Sequence, residues 1–240
     1  MLTLLAASLA ACSPAPEPLL VTFPSGDGLE LSADLYLAHP PEAPFIILFH
    51  MAGSSRGEYR PIAARLSSLG FNLLALDQRS GNASSGVANE SFARARTAKL
   101  PRGYLDALPD MRAAIAWARA RHAKGKLLLW GSSYSASLAI KLAGDEPSLC
   151  DGVLAFSPGE YFGEMRFIED SARTLSVPAF VSSAKAERGD WQPIYDAIPG
   201  SAKASFLPEA AGVHGSPALW PDQEGSGEYW KAVEAFLGRF

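Results

Sequence analysis

Leu127-Leu128-Leu129-Trp130-Gly131-Ser132-Ser133-Tyr134-Ser135-Ala136-Ser137-Leu138 is the stretch that decides how this chain is built. A short apolar run ends in Gly-Ser-Ser-Tyr-Ser and passes at once into an alanine-rich pattern of helical spacing. Strand, sharp turn and helix are thus compressed into a dozen residues. A serine at the apex of such a turn holds its hydroxyl above the sheet edge, where a base can reach it. Small neighbours relieve the crowding that the turn imposes. Ser133 stands at the centre of the Gly-x-Ser-x-small pattern and is the candidate nucleophile, with Ser132 and Ser135 on its flanks. The last position of the pattern is Ser135 rather than glycine.

Outward from this turn, short apolar runs alternate with helical patterns. After an opening hairpin, Leu19–Phe23 and Leu29–Leu37 around Ser25-Gly26-Asp27-Gly28, strands are expected near 45–49, 71–76, 126–130, 152–156, 178–182 and 203–207. Helices are expected near 58–69, 104–122, 134–144 and 226–239. Continuous apolar strands separated by helices indicate a parallel sheet covered on both faces. About twenty residues, Ser157 to Val177, lie between the sixth and seventh strands, room for one short helix near 162–173 and no large cap.

Three further segments join the serine turn. Phe45–Phe49 runs into His50-Met51-Ala52-Gly53; Gly70–Leu76 runs into Asp77-Gln78-Arg79-Ser80-Gly81; and Gly212-Val213-His214-Gly215 precedes the last helix. With these four motifs in this order, the chain from Leu19 to its C-terminus resembles the α/β-hydrolase family, in particular uncapped esterases of the dienelactone-hydrolase and carboxylesterase kind. The resemblance implies an eight-stranded, mostly parallel sheet with an N-terminal antiparallel hairpin. It also implies an oxyanion site made by the N–H of Tyr134 and of Ala52, with Met51 as the alternative to Ala52.

A serine hydroxyl is a weak nucleophile at neutral pH and needs a base. Of four histidines, His39 lies in a proline-rich turn, His122 at the charged end of a helix, and His50 at a strand end shaping the following loop, which leaves His214. The order Ser, acid, His is the one this fold requires. The acid is expected after the seventh strand. By the family's spacing from Pro178 it is Glu187; by its place shortly before Pro193 it is Asp190. Arg56, Arg60 and Arg79 follow the strand ends, where they meet either an acidic substrate or the carboxylates of Glu58 and Asp77. Tyr161 and Trp191 are candidates for contact with substrate.

The implied reaction is hydrolysis of a small carboxylic ester through an acyl-enzyme, with thioesters or small peptides as variants of the same chemistry. The reading from another class is a catalytically inactive hydrolase-fold lipoprotein that binds a ligand or partner.

Composition bounds the alternatives. The chain has 240 residues, 48% of them hydrophobic, and a net charge of −4, so one large core is affordable and a nucleic-acid partner is disfavoured. No Cys-x-x-Cys or His-x-x-x-His pair suggests a metal, no glycine-rich phosphate loop suggests a nucleotide, and no cofactor is expected. Met1–Ala11 reads as a signal peptide, and Leu9-Ala10-Ala11-Cys12 resembles a bacterial lipobox. Cys12 would carry lipid and residues 12–18 would tether a domain spanning 19–240 to the cell envelope.

Overall fold

The computed structural model describes residues 17–240; the leader, Cys12 and most of the expected tether lie outside them. The main sheet contains β1 (Leu19–Pro24), β2 (Glu30–Tyr36), β3 (Phe45–Phe49), β4 (Asn72–Leu76), β5 (Leu127–Ser132), β6 (Gly152–Phe156), β7 (Ala179–Ser182) and β8 (Lys203–Phe206). Their spatial order is β1-β2-β4-β3-β5-β6-β7-β8. β1 and β2 pair antiparallel, as do β2 and β4, and every later pairing is parallel. This is the hairpin-led sheet expected of an α/β hydrolase.

Seven α-helices cover it: α1 (Arg60–Ser68), α2 (Glu90–Thr97), α3 (Leu108–Arg121), α4 (Tyr134–Asp145), α5 (Phe167–Ala172), α6 (Arg188–Ala197) and α7 (Ser226–Leu237). Alternate residues of the central strands feed two cores. Phe45, Ile47, Leu127 and Leu129 pack with α3, α4, α5 and α6 on one face. Ile46, Leu48, Leu128 and Trp130 pack with α1 and α7 on the other. Burial on both faces is why these strands read as unbroken apolar runs.

Two helices escape the sequence reading. α2 buries only Ser91 and Ala95, too little apolar surface for a helical period to show. α6 contains Pro193, which removes an intrahelical bond. It forms because Trp191 and Ile194 recur at helical spacing and bury fully in the core, joined by Ile198 just past its end. Between β6 and β7 only α5 intervenes, so no cap covers the strand ends.

The loops after β3 and β4 are fixed by buried ion pairs. Asp110 of α3 accepts from the Arg79 N–H at 2.9 Å and from its guanidinium at 2.6 Å, and Arg79 also reaches Asp27 at 2.6 Å. Asp110 is wholly buried. Arg79→Met therefore leaves an uncompensated buried carboxylate and is expected to cost about 3–5 kcal/mol in urea unfolding. The double variant Arg79→Met/Asp110→Leu should recover part of that loss, and an unchanged midpoint in the single variant would show that the pair is dispensable.

Candidate active site

β5 turns into α4 at Ser133, whose backbone sits at φ +60° and ψ −128°. That left-handed conformation is strained for any residue with a Cβ. It is held by Ser133 N–H donating to Phe156 O at 2.7 Å. Gly131 is obligatory below it, because a Cβ there would lie 2.4 Å from Ala136 Cα. Ser135, at the position of the expected glycine, is fully buried and wired. Its hydroxyl accepts from Ser132 N–H at 3.0 Å and donates to Phe49 O at 2.7 Å, joining the turn to the end of β3. Ser132 is also spoken for, accepting from Ser216 N–H at 2.9 Å. Of the three serines only Ser133 reaches solvent, at 8% exposure.

The loop after β3 is set by His50. Gln78 N–H donates to its Nε2 at 3.0 Å, so the proton sits on Nδ1 and is donated to Met51 O at 2.7 Å. Burial pushes the His50 pKa down to about 4, which keeps the ring neutral. Met51 N–H donates to Glu58 Oε2 at 3.0 Å. The N–H of Met51, the alternative oxyanion donor, is thus engaged within the protein. Ala52 N–H has no acceptor among the described residues. Tyr134 opens α4, so its N–H is one of the helix's free donors.

His214 and Glu187 meet from two loops. Glu187 Oε1 accepts from His214 Nδ1 at 2.7 Å. Asp190 is exposed in the first turn of α6 and makes no bond to the ring, so it is Glu187 that the fold brings to the histidine. The hydrogen bond to Glu187 raises the His214 pKa above its ordinary value, against the opposing effect of burial. Burial disfavours the Glu187 charge, but donation from His214 and Ser157 outweighs it and the Glu187 pKa falls. With Nδ1 occupied, Nε2 is the nitrogen left open. No hydrogen bond joins it to Ser133 Oγ in this structure, a common looseness of sites without substrate.

Ser157, at the end of β6, was not legible as a site residue. Its hydroxyl donates to Glu187 Oε2 at 2.6 Å and accepts from Gly215 N–H at 2.8 Å. One side chain thus links the acid to the residue after His214. Ser157 holds φ +56°, a second strained serine at the sheet edge. Only the strand end before Pro158-Gly159 marks it in the sequence.

Of the two readings of the arginines the structure shows the one in which they pair with carboxylates, Asp77 among them, and it buries Trp191. Arg56 is 5% exposed and bonds Asp34, Asp77 and Glu90 rather than facing solvent. Arg60 pairs with Asp34 at 2.9 Å and Arg79 with Asp27 and Asp110. Trp191 is 1% exposed, inside the core, with Nε1–H donating to Ser183 Oγ at 2.7 Å. Tyr161 stays at the surface and donates to Ser157 O at 2.8 Å, its hydroxyl beside Ser133. It lines a cavity of 270 Å³ together with Tyr104, Leu105, Asp106 and Phe162. Tyr104, unanticipated, stacks on Tyr134 at 4.6 Å. A larger cavity, 660 Å³ between β1 and α3 beside Phe23 and Trp117, shares none of these side chains.

Residues 40–173, more than half of the chain, match the family described as serine aminopeptidase, S33. The chain belongs to this family of α/β hydrolases. Among solved structures it is similar to an esterase of Pyrococcus furiosus, at 19% identity and TM-score 0.70 over 93% of both chains. It is similar to a dienelactone hydrolase of Anabaena variabilis, at 14% identity and TM-score 0.71 over 94% of this chain and 99% of that one. An acylaminoacyl peptidase of Pyrococcus horikoshii shares 14% identity and TM-score 0.69 over 94% of this chain and 42% of its own. At such identities the likeness is one of fold. Comparison with curated proteins finds no match.

Ser157→Ala removes one donor to Glu187 and one acceptor for the His214 loop. A loss of about 1–2 kcal/mol in orientation is expected, roughly a tenfold fall in turnover of a nitrophenyl ester. An unchanged kcat would show that Glu187 needs no second anchor.

Proposed function

We propose that the protein hydrolyses small carboxylic esters through an acyl-enzyme on Ser133, with His214 as base, Glu187 as its orienting acid, and Ala52 and Tyr134 N–H as oxyanion donors. The 2.7 Å bond between His214 Nδ1 and Glu187 Oε1 carries this reading. It occupies Nδ1 and leaves Nε2 without a hydrogen bond among the described residues, the nitrogen that the proposed base needs free. In the forward step Nε2 takes the Ser133 proton as Oγ adds to the carbonyl carbon. Glu187 stabilises the imidazolium that forms, without itself taking the proton. The carbonyl oxygen gathers negative charge, and two N–H groups without other acceptors are preorganised donors for it. The imidazolium then protonates the leaving alcohol, and a water repeats the sequence to release the acid.

The open strand ends and the small aromatic cavity of Tyr104, Tyr161 and Phe162 favour compact substrates over long acyl chains. Since Arg56 and Arg79 are consumed by internal carboxylates and Arg60 is paired with Asp34, no selection for anionic substrates is expected. Matched neutral and anionic esters test this, and a strong preference for the anion would contradict it. Lipidation at Cys12 would hold the enzyme at a membrane, and fractionation of wild type against Cys12→Ser decides that part.

Fluorophosphonate labelling is the direct test of the nucleophile. Wild type should label and Ser133→Ala should neither label nor turn over a nitrophenyl ester; full activity in Ser133→Ala would end the proposal. Glu187→Gln should cost on the order of 10⁴ in kcat and Asp190→Asn little. The base must be neutral to act, so kcat/KM should fall as pH drops through the His214 pKa. Because Glu187 raises that pKa, the acid limb should lie above the 6.5 of an ordinary histidine and move down in Glu187→Gln.

A further inference from the structure

We propose that Glu58 is a positioning residue, whose carboxyl pins the oxyanion loop by Met51 N–H. The inference rests on the function proposed above and extends it to a group that neither the motifs nor the reaction uses. Glu58 is wholly buried, in the 3-10 turn Arg56–Tyr59 directly beneath the loop. Its Oε2 accepts from Met51 N–H at 3.0 Å, and its own carbonyl accepts from Trp220 Nε1 at 2.9 Å. Among the described residues Oε1 has no hydrogen-bond partner, and neither has the buried Ser54 Oγ nearby.

Among the described residues no lysine or arginine pairs with this carboxyl. Arg56 is on the same turn, but its guanidinium serves Asp34, Asp77 and Glu90. The polar and titratable groups whose fields reach Glu58 are the hydroxyls of Ser54 and Ser132, the phenols of Tyr59 and Tyr134, and the His214 ring. An ionised carboxylate in that company would be costly, and burial raises the Glu58 pKa accordingly. The carboxylic acid satisfies the geometry better: one oxygen accepts from Met51, and the protonated oxygen can donate towards Ser132 or Ser54. With Met51 N–H held inward, the next N–H along the chain, that of Ala52, is left for the developing oxyanion.

Three variants test this with a small nitrophenyl ester, each checked for folding by its thermal midpoint. Glu58→Gln keeps an acceptor of the same reach and no charge, so its kcat and pH profile should stay within about threefold of wild type. Glu58→Asp is one methylene short of Met51 N–H, and Glu58→Met has no acceptor. Both should lose about 10–100-fold in kcat with KM nearly unchanged, a fraction of the 10²–10³ that follows deletion of an oxyanion donor. Fluorophosphonate labelling rates should fall in parallel. Wild-type kcat in Glu58→Asp overturns the proposal, even if Glu58→Met does not fold. A loss in Glu58→Gln as large as in Glu58→Asp also overturns it, because the charge and not the acceptor would then matter. Ser133→Ala, run alongside, separates this outcome from failure of the serine mechanism itself, which would leave that variant active.

Discussion

Ser133 adopts φ +60°, and the site is organised around keeping it there. A residue with a Cβ resists this conformation by roughly 1–3 kcal/mol, so the surroundings must over-determine it. They do so from three sides. Phe156 O takes the Ser133 N–H from β6. Ser135 Oγ ties the start of α4 to Phe49 O at the end of β3. Gly131 lets the helix backbone lie against the strand, where a Cβ would meet Ala136 Cα at 2.4 Å. The three central strands therefore converge on one turn, and loss of any one contact frees the serine to relax. The serine in place of the usual final glycine is consistent with this, since it adds a bond between β3 and the turn.

A second constraint is charge. The loops after β3 and β4 have little apolar surface of their own and are held by Arg56 and Arg79, each shared among carboxylates from distant elements. Such buried pairs add little net stability over an apolar replacement, but breaking one leaves a stranded charge, so they fix conformation more than they deepen the well. The same arrangement removes the arginines from the substrate's side of the protein. Arginines beside a catalytic loop invite a functional reading, and only the partners' positions in three dimensions, Asp34 and Asp110 above all, reveal where the guanidinium groups point.

The central strands were legible to within a residue or two because each is a short apolar run buried on both faces, whereas the opening hairpin was legible by its alternation and its Ser25–Gly28 turn. The turn residues Gly131 and Ser133 and the loop of His214 were legible because glycines and strand ends mark them. What could not be read is what depends on pairing across the chain. Glu187 and Asp190 are both acids after β7, and their separation rests on α6 starting at Arg188, which turns Asp190 outward. Trp191 is a candidate for substrate contact in the sequence because Pro193 obscures the helix that buries it. Ser157 and Glu58 carry no motif; each acquires its place from partners 30 and 7 residues away along the chain.

Two histidines and two glutamates share this end of the sheet, and their environments drive them apart. Burial leaves His50 neutral, with a pKa near 4, while Glu187 lifts that of His214. The two donors on Glu187 keep it ionised, while Glu58, wholly buried and paired with no lysine or arginine among the described residues, is pushed towards its acid form. Divergent environments for like groups are how one fold assigns acid and base roles. Near neutral pH His50 is held as a neutral hydrogen-bonding strut and Glu187 as a charge, while burial drives Glu58 towards its acid form. His214 differs, for Glu187 holds its Nδ1 and raises its pKa while no hydrogen bond among the described residues engages Nε2.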